Sequence, residues 1–159
     1  TAYEISTRDW SSDVCSSDLT NETAGDCVAR ALSIATGLPY KQITSMLVEG
    51  MQSVRKTRKT KRFLARNGFK KSSDITADKG ILKRKFLYDM IEDLGFMWIP
   101  TMGIGTGCRV HLRADELPSG TVICMVSKHM VCVKDGVIHD TYDPSRAGTR
   151  TVYGYWIKK

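Results

Sequence analysis

The feature that most restricts the fold is a pair of apolar runs joined by Asp135-Gly136. The runs 129–134 (HMVCVK) and 137–142 (VIHDTY) are short and rich in β-branched residues, a composition that favours strands. Asp-Gly between two such runs is a strong signal for a two-residue β-turn. The sequence therefore predicts a β-hairpin and, with it, an antiparallel sheet.

The register of this hairpin decides which polar side chains meet. A two-residue turn places Lys134 opposite Val137, so that His129 and Asp140 lie diagonally on the same face. A carboxylate in that position can hold an imidazole by one ring nitrogen. If the turn is one residue longer, Asp143 shares the face of His129 instead. Asp140 is therefore the first candidate for the partner of His129, and Asp143 is the alternative.

A cysteine stands where a polar loop becomes an apolar helix. Residues 21–26 (NETAGD) precede Cys27, and apolar residues follow at helical spacing to a predicted cap at Gly37. The start of a helix stabilises a thiolate, which is the form of cysteine that attacks carbonyl carbon. Asp26, at the expected N-cap, opposes this effect with its negative charge. Cys27 is a candidate nucleophile, and without partners it would be an ordinary core residue.

The other elements follow from periodicity. A second helix is expected from Pro39 to Gly50, with Ile43, Met46 and Leu47 on its inner face, and a third from Ile81 to Leu94, signalled by Leu82, Phe86, Met90 and Leu94. After Gly95 the period becomes that of strands, which are predicted at 96–99, 109–112, 121–126 and 152–157. Helices followed by strands predict an α+β domain in which N-terminal helices pack on an antiparallel sheet.

The first nineteen residues differ from the rest of the chain. Back-translation of residues 1–5 and 9–19 fits two stretches of a common short-read sequencing-library adapter, and residues 6–8 fit its variable index. We expect residues 1–19 to be a non-native, exposed and irregular tail, residues 20–159 to form a single domain, and the gene to be truncated. The tail holds one of the 24 basic and four of the 17 acidic residues, so without it the formal net charge rises from +7 to +10.

Much of this positive charge falls in a predicted insertion at about 52–75. No acidic residue occurs between Glu49 and Asp74. Such a run predicts a solvated loop, with binding of nucleic acid or another polyanion as the alternative. The candidate polyanion-binding residues are Arg55, Lys56, Arg58, Lys59, Lys61 and Arg62. A short amphipathic helix ending at Gly68 is expected within the segment.

The remaining cysteines have irregular spacing. Cys108-x-x-His111 could be combined with Cys124, His129 and Cys132 into a metal site, but the spacing is not that of structural zinc sites. Cys124 and Cys132 fall in apolar strand-like runs and are expected in the core. We therefore predict no metal and no cofactor, and no apolar run is long enough to span a bilayer.

The order of these motifs resembles the papain-like cysteine peptidases, including those that process bacteriocins. In that family a cysteine begins a helix, a histidine opens a later strand, and an aspartate follows on the next strand. The resemblance implies a papain-like fold with Cys27 as nucleophile, His129 as general base and then acid, and Asp140 as the orienting group. Asn21 stands where the family carries its oxyanion-stabilising Gln, which implies an oxyanion hole formed by Asn21 and the backbone N–H of Cys27.

A second resemblance rests on Asp-Cys-Val-x-Arg-Ala at 26–31, on the hairpin 129–141 and on Tyr-Gly-Tyr-Trp at 153–156. This combination is similar to a set of uncharacterised phage and prophage proteins. It implies a monomeric protein in the cytoplasm of a bacterial host or associated with the virion. The resulting hypothesis is a thiol-dependent hydrolase, a peptidase or isopeptidase acting on a peptide or protein. The alternative is a catalytically inactive basic protein that binds nucleic acid through residues 55–71.

Overall fold

The computed structural model describes residues 26–53, 61–62, 65–66, 68, 70, 85–103 and 105–159. The predicted tail, Asn21 and most of the basic insertion lie outside the described residues. Within the described part of the chain, three helices precede a five-stranded sheet, which confirms the predicted α+β class with N-terminal helices.

The helices are α1 (Cys27–Thr36), α2 (Tyr40–Ser53) and α3 (Lys85–Asp93). The strands are β1 (Phe96–Pro100), β2 (Thr121–Val126), β3 (His129–Lys134), β4 (Val137–His139) and β5 (Val152–Lys158). Their order in the sheet is β1-β5-β2-β3-β4, and every neighbouring pair is antiparallel.

Glycines end one helix and pack inside another. Gly37 adopts a left-handed φ of 76° and its N–H donates to the carbonyl of Ser33, so it caps α1 as predicted. Gly50 was expected to end α2, but the helix continues to Ser53. A Cβ built on Gly50 would lie 2.7 Å from the ring of Phe86. Gly50 is therefore a packing contact between α2 and α3 rather than a stop signal.

The buried faces of α2 and α3 differ from the predicted ones. Ile43 and Leu47 are buried as expected, but Met51 completes the inner face of α2. In α3 the buried residues are Leu87 and Ile91, whereas the predicted Phe86 and Met90 are only partly buried. Apolar residues cover much of this short helix, and periodicity alone does not locate the centre of so broad a face.

The sheet has a separate core on each face. Residues on the helix side include Ile123, Met125, Met130, Cys132 and Trp156. Alternate residues on the same strands, with Leu112 and Leu117 from the β1–β2 connection, form the second core: Val122, Cys124, Val131, Val133 and Ile138. The strand predicted at 109–112 is wrong, because the described residues of this connection form a single isolated bridge to the sheet, between His111 and Thr151.

The predicted hairpin joins β3 and β4. Lys134 pairs with Val137, and both turn residues have positive φ, 48° at Asp135 and 79° at Gly136. This confirms the two-residue turn. Strand β4 ends at His139, earlier than predicted. The carboxylate of the next residue, Asp140, accepts a hydrogen bond from the backbone N–H of Thr141.

Candidate active site

Three of the predicted site residues meet where α1 adjoins the first residue of β3. Cys27 is the first residue of α1, His129 the first residue of β3, and Asp140 follows the last residue of β4. Since α1 packs on β3, the helix start and the strand start are brought together. His129 Nε2 lies 2.5 Å from Asp140 Oδ2, and the Cys27 side chain also hydrogen-bonds His129.

Asp140 and Cys27 interact with different ring nitrogens of His129. Because Asp140 occupies Nε2, Nδ1 is the nitrogen left for the Cys27 thiol. The alternative carboxylate has a different place: Asp143 Oδ1 accepts a hydrogen bond from the backbone N–H of Ser145 at 2.8 Å. Asp143 therefore stabilises a turn, and Asp140 is the partner of the imidazole.

Burial makes the electrostatics of this group strong. Cys27, His129 and Asp140 are 8%, 7% and 4% exposed. Burial by itself lowers the pKa of His129, but the hydrogen bonds and negative charges of Asp140 and Cys27 outweigh it and raise that pKa from 6.5 to about 9. His129 therefore holds a proton at neutral pH, and an imidazolium lies beside the sulfur that would become the thiolate.

Arg30 links the site to the start of α1, a role that the sequence reasoning missed. Its guanidinium lies 3.0 Å from Asp26 Oδ1 and 3.5 Å from Asp140 Oδ1. Asp140 Oδ1 also accepts the backbone N–H of Thr141 at 2.7 Å. The spacing of four residues between Asp26 and Arg30, on the helix that begins with the cysteine, is the signal that could have revealed the pair.

Asp26 has a different role from the one expected. It occupies the N-cap position, but its side chain makes no capping hydrogen bond. Its carboxylate is paired with Arg30 and accepts a hydrogen bond from the Tyr40 hydroxyl at 3.2 Å. The negative charge that was expected to oppose a thiolate at Cys27 is therefore offset by a buried cation.

A cleft of about 590 Å³ is lined in part by the turn that precedes His129, although Cys27, His129 and Asp140 themselves do not line it. Its lining includes that turn, Ser127-Lys128, and the aromatic side chains of Tyr88, Trp98 and Tyr153. Trp98 packs over Gly154 of β5, where a Cβ would lie 2.3 Å from the indole. The volume is within the range of ligand-binding clefts.

The other predicted site residues are not brought to this site by the described structure. Asn21 lies outside the described residues, as do Arg55, Lys56, Arg58 and Lys59. Lys61 and Arg62 are described and exposed. Polyanion binding by this segment, and with it the alternative function, stays a prediction.

No group of three or more His, Cys, Asp and Glu side chains among the described residues is arranged to hold a metal ion. Of the cysteines and histidines that were considered for a metal site, Cys108 and His111 are neighbours, while Cys124 and Cys132 are buried in the two cores. In the same part of the chain, no helix is both long and apolar enough to cross a membrane.

Comparison with known proteins yields no matching family model, no matching curated protein and no matching solved structure.

Proposed function

We propose that this protein is a thiol-dependent hydrolase of the papain-like type, a cysteine peptidase or isopeptidase. The observation that carries the proposal is the hydrogen-bonded series Cys27–His129–Asp140 at the junction of a helix start and a sheet. A nucleophile beside a base, with the base held by a third group, is the general arrangement for covalent acyl transfer.

Each residue has one role in the proposed reaction. The Cys27 thiolate attacks the carbonyl carbon of the scissile amide, and the His129 imidazolium donates its proton to the leaving amine. The neutral imidazole then takes a proton from water, which attacks the thioester and releases the acid and the free thiol. Asp140 holds Nε2 throughout, so that Nδ1 stays directed at the sulfur.

The negative oxygen of the tetrahedral intermediates needs hydrogen-bond donors. The backbone N–H of Cys27 lies in the first turn of α1, where N–H groups have no acceptor within the helix. We propose it as one donor of the oxyanion hole, with the Asn21 side chain as the second. One such donor contributes on the order of 3 kcal/mol to transition-state stabilisation in other acyl-transfer enzymes.

The cleft that the turn before His129 helps to line favours a class of substrate. Its aromatic lining suits an apolar or aromatic side chain, because such side chains gain most from leaving water. Lys128, in that turn, adds a positive charge. We propose a peptide substrate with an apolar or aromatic residue near the bond that is cut.

The proposal is tested by acylation with p-nitrophenyl acetate, which needs no knowledge of the peptide sequence. The parent is the Cys15→Ser/Cys108→Ser chain, so that labelling at these two thiols does not contribute. We expect a burst of one p-nitrophenolate per chain and a thioester on Cys27 by mass spectrometry. The burst should disappear in Cys27→Ala and fall strongly in His129→Ala, while His139→Ala retains it. A burst that survives Cys27→Ala would refute the proposal.

A further inference from the structure

A second thiol lies in a similar arrangement outside the proposed active site. Cys108 Sγ is 3.3 Å from His111 Nε2, and His111 Nδ1 is 3.0 Å from Glu116 Oε2. The hydroxyl of Thr151 lies 3.1 Å from the same sulfur. Cys108, His111 and Glu116 belong to the β1–β2 connection. The bridge between His111 and Thr151 fixes that connection to the sheet.

The hydrogen bonds of His111 fix its orientation. Glu116 Oε2 accepts from the backbone N–H of His111 at 2.6 Å as well as from Nδ1. With the proton on Nδ1, Nε2 presents a lone pair to the Cys108 thiol. The imidazole can therefore take the proton of the thiol, and the Thr151 hydroxyl can donate to the resulting thiolate.

Exposure separates this cysteine from the other thiols described in the structure. Cys108 is exposed, whereas Cys27, Cys124 and Cys132 are buried. Burial raises the pKa of Cys132 to about 12 and that of Cys124 further still, which makes both unreactive. Cys108 combines access to solvent with a neighbouring base, the two conditions for a reactive cysteine.

We propose that Cys108 is a site of reversible S-thiolation by small disulfides. As the sulfur attacks one sulfur of the disulfide, His111 Nε2 takes its proton and the S–S bond breaks. A mixed disulfide forms on Cys108, and the departing thiolate receives the proton from His111. Cys108 is oxidised, the small disulfide supplies the oxidising equivalent, and one small thiol is released.

The groups present match disulfide exchange better than a second acyl transfer. Exchange needs a thiolate, access to it and a route for the proton. Acyl transfer also needs fixed donors for a developing oxyanion and a cleft that positions the substrate. The cleft of about 590 Å³ described above is lined by other residues, from α3, β1, β2, β5 and the β2–β3 turn.

The test uses 4,4′-dithiodipyridine, a neutral disulfide whose released thiopyridone absorbs light, with the full chain carrying Cys15→Ser and Cys27→Ala. These two changes remove the adapter-like cysteine and the proposed nucleophile, so the result is independent of the proposed hydrolase. We expect one fast reacting thiol per chain, its label mapped to Cys108 by peptide mass spectrometry, and its loss in Cys108→Ser.

The role of His111 is read from the pH profile. His111→Ala should slow the fast phase about threefold or more near pH 7, and the two rates should converge near pH 10, where an ordinary thiol is ionised without help. The matched variant His139→Ala should leave the rate unchanged. Equal rates in the parent and in His111→Ala across this range, or a label on another cysteine, would overturn the proposal.

Discussion

The chain carries two thiol–imidazole–carboxylate groups that differ in burial. In the group at Cys27, the imidazole and carboxylate side chains are 9% and 3% exposed, and the carboxylate binds Nε2. In the group at Cys108 the corresponding side chains are 35% and 28% exposed, and the carboxylate binds Nδ1. Similar residue types therefore occur in two different dielectric environments on one fold.

The difference shows how burial changes the charge interactions within a thiol–imidazole–carboxylate group. Charges that are buried interact more strongly, but they need a complete set of partners, which Arg30, Asp26 and Tyr40 supply. Charges that face water are screened, and their pairs contribute little to stability. Fixed geometry suits the buried group to catalysis, while access suits the exposed group to modification.

The largest difference between the two groups should appear on removing each sulfur. Cys27→Ala should abolish hydrolysis of peptide substrates, because it removes the sulfur that would form the acyl-enzyme. Cys108→Ala should leave hydrolysis unchanged. Steady-state cleavage of a peptide library with apolar and aromatic residues gives the comparison. If the two variants lose activity equally, the functional distinction between the groups fails.

The next largest effect concerns the carboxylate of the buried group. Asp140→Asn should slow acylation by about three orders of magnitude, because an amide does not hold the imidazole in the required tautomer and orientation. The matched variant Asp143→Asn should acylate at the parent rate, since Asp143 only accepts a turn hydrogen bond. Burst rates with p-nitrophenyl acetate measure both, and circular dichroism checks the fold. Equal rates in the two variants would contradict the assignment of Asp140.

Stability should separate buried from exposed arginines. Arg30→Met leaves the buried Asp26 carboxylate without its cation and removes one of the two cations beside Asp140, the other being His129. Losses of this kind destabilise proteins by about 3–5 kcal/mol. Arg113→Met removes ion pairs to the solvent-facing carboxylates of Asp115 and Glu116, and should change the midpoint of unfolding much less. Urea unfolding of both variants measures the difference. A small loss in Arg30→Met would show that the buried network is not a stabilising feature.

The hairpin could be predicted from the sequence because its signals are local. Asp135-Gly136 determined the turn, the turn determined the register, and the register brought Asp140 to His129. Pairing of this hairpin with Cys27 depends on how α1 packs on β3, a contact over about a hundred residues of chain that no local signal encodes. Only the resemblance to the order of motifs in a family pointed to it.

The group at Cys108 was not predicted, for a physical reason. Residues 109–112 were expected to form a strand, and side chains three apart on a strand point to opposite faces. The real segment is irregular, so Cys108 and His111 meet, and Glu116 returns to the ring after a turn. An irregular backbone has no period from which such a contact could be derived.

The pH dependence of stability should follow the buried histidine. The raised pKa of His129 means that its stabilising contribution is complete below about 6.5 and is lost as the pH rises through about 9. At about 1.4 kcal/mol per pKa unit the contribution is on the order of 3 kcal/mol. Between pH 6 and 10 the unfolding free energy of His129→Gln should therefore fall less than that of the parent. A slope that His129→Gln leaves intact would contradict the assignment.

The smallest effect is expected at the carboxylate of the exposed group. The backbone N–H of His111, above all, holds the pKa of Glu116 below its ordinary value, so its stabilising contribution is present above about 4.5 and is lost as the pH falls through the lower, folded value. Solvent screening limits that contribution to under about 1 kcal/mol. Glu116→Gln, which keeps an acceptor but removes the charge, should lower the unfolding free energy by no more than this near pH 7.

The difference from the parent should shrink between pH 7 and pH 3, because the parent carboxylate takes up a proton as the pH falls. Urea unfolding at the two pH values makes the measurement, with Arg30→Met as the reference for a buried charge. If Glu116→Gln lowered the unfolding free energy as much as Arg30→Met does, the charges of the exposed group would interact as strongly as those of the buried group. The two constellations would then have to be distinguished by access to their sulfur atoms, since burial would no longer set the strength of their charges.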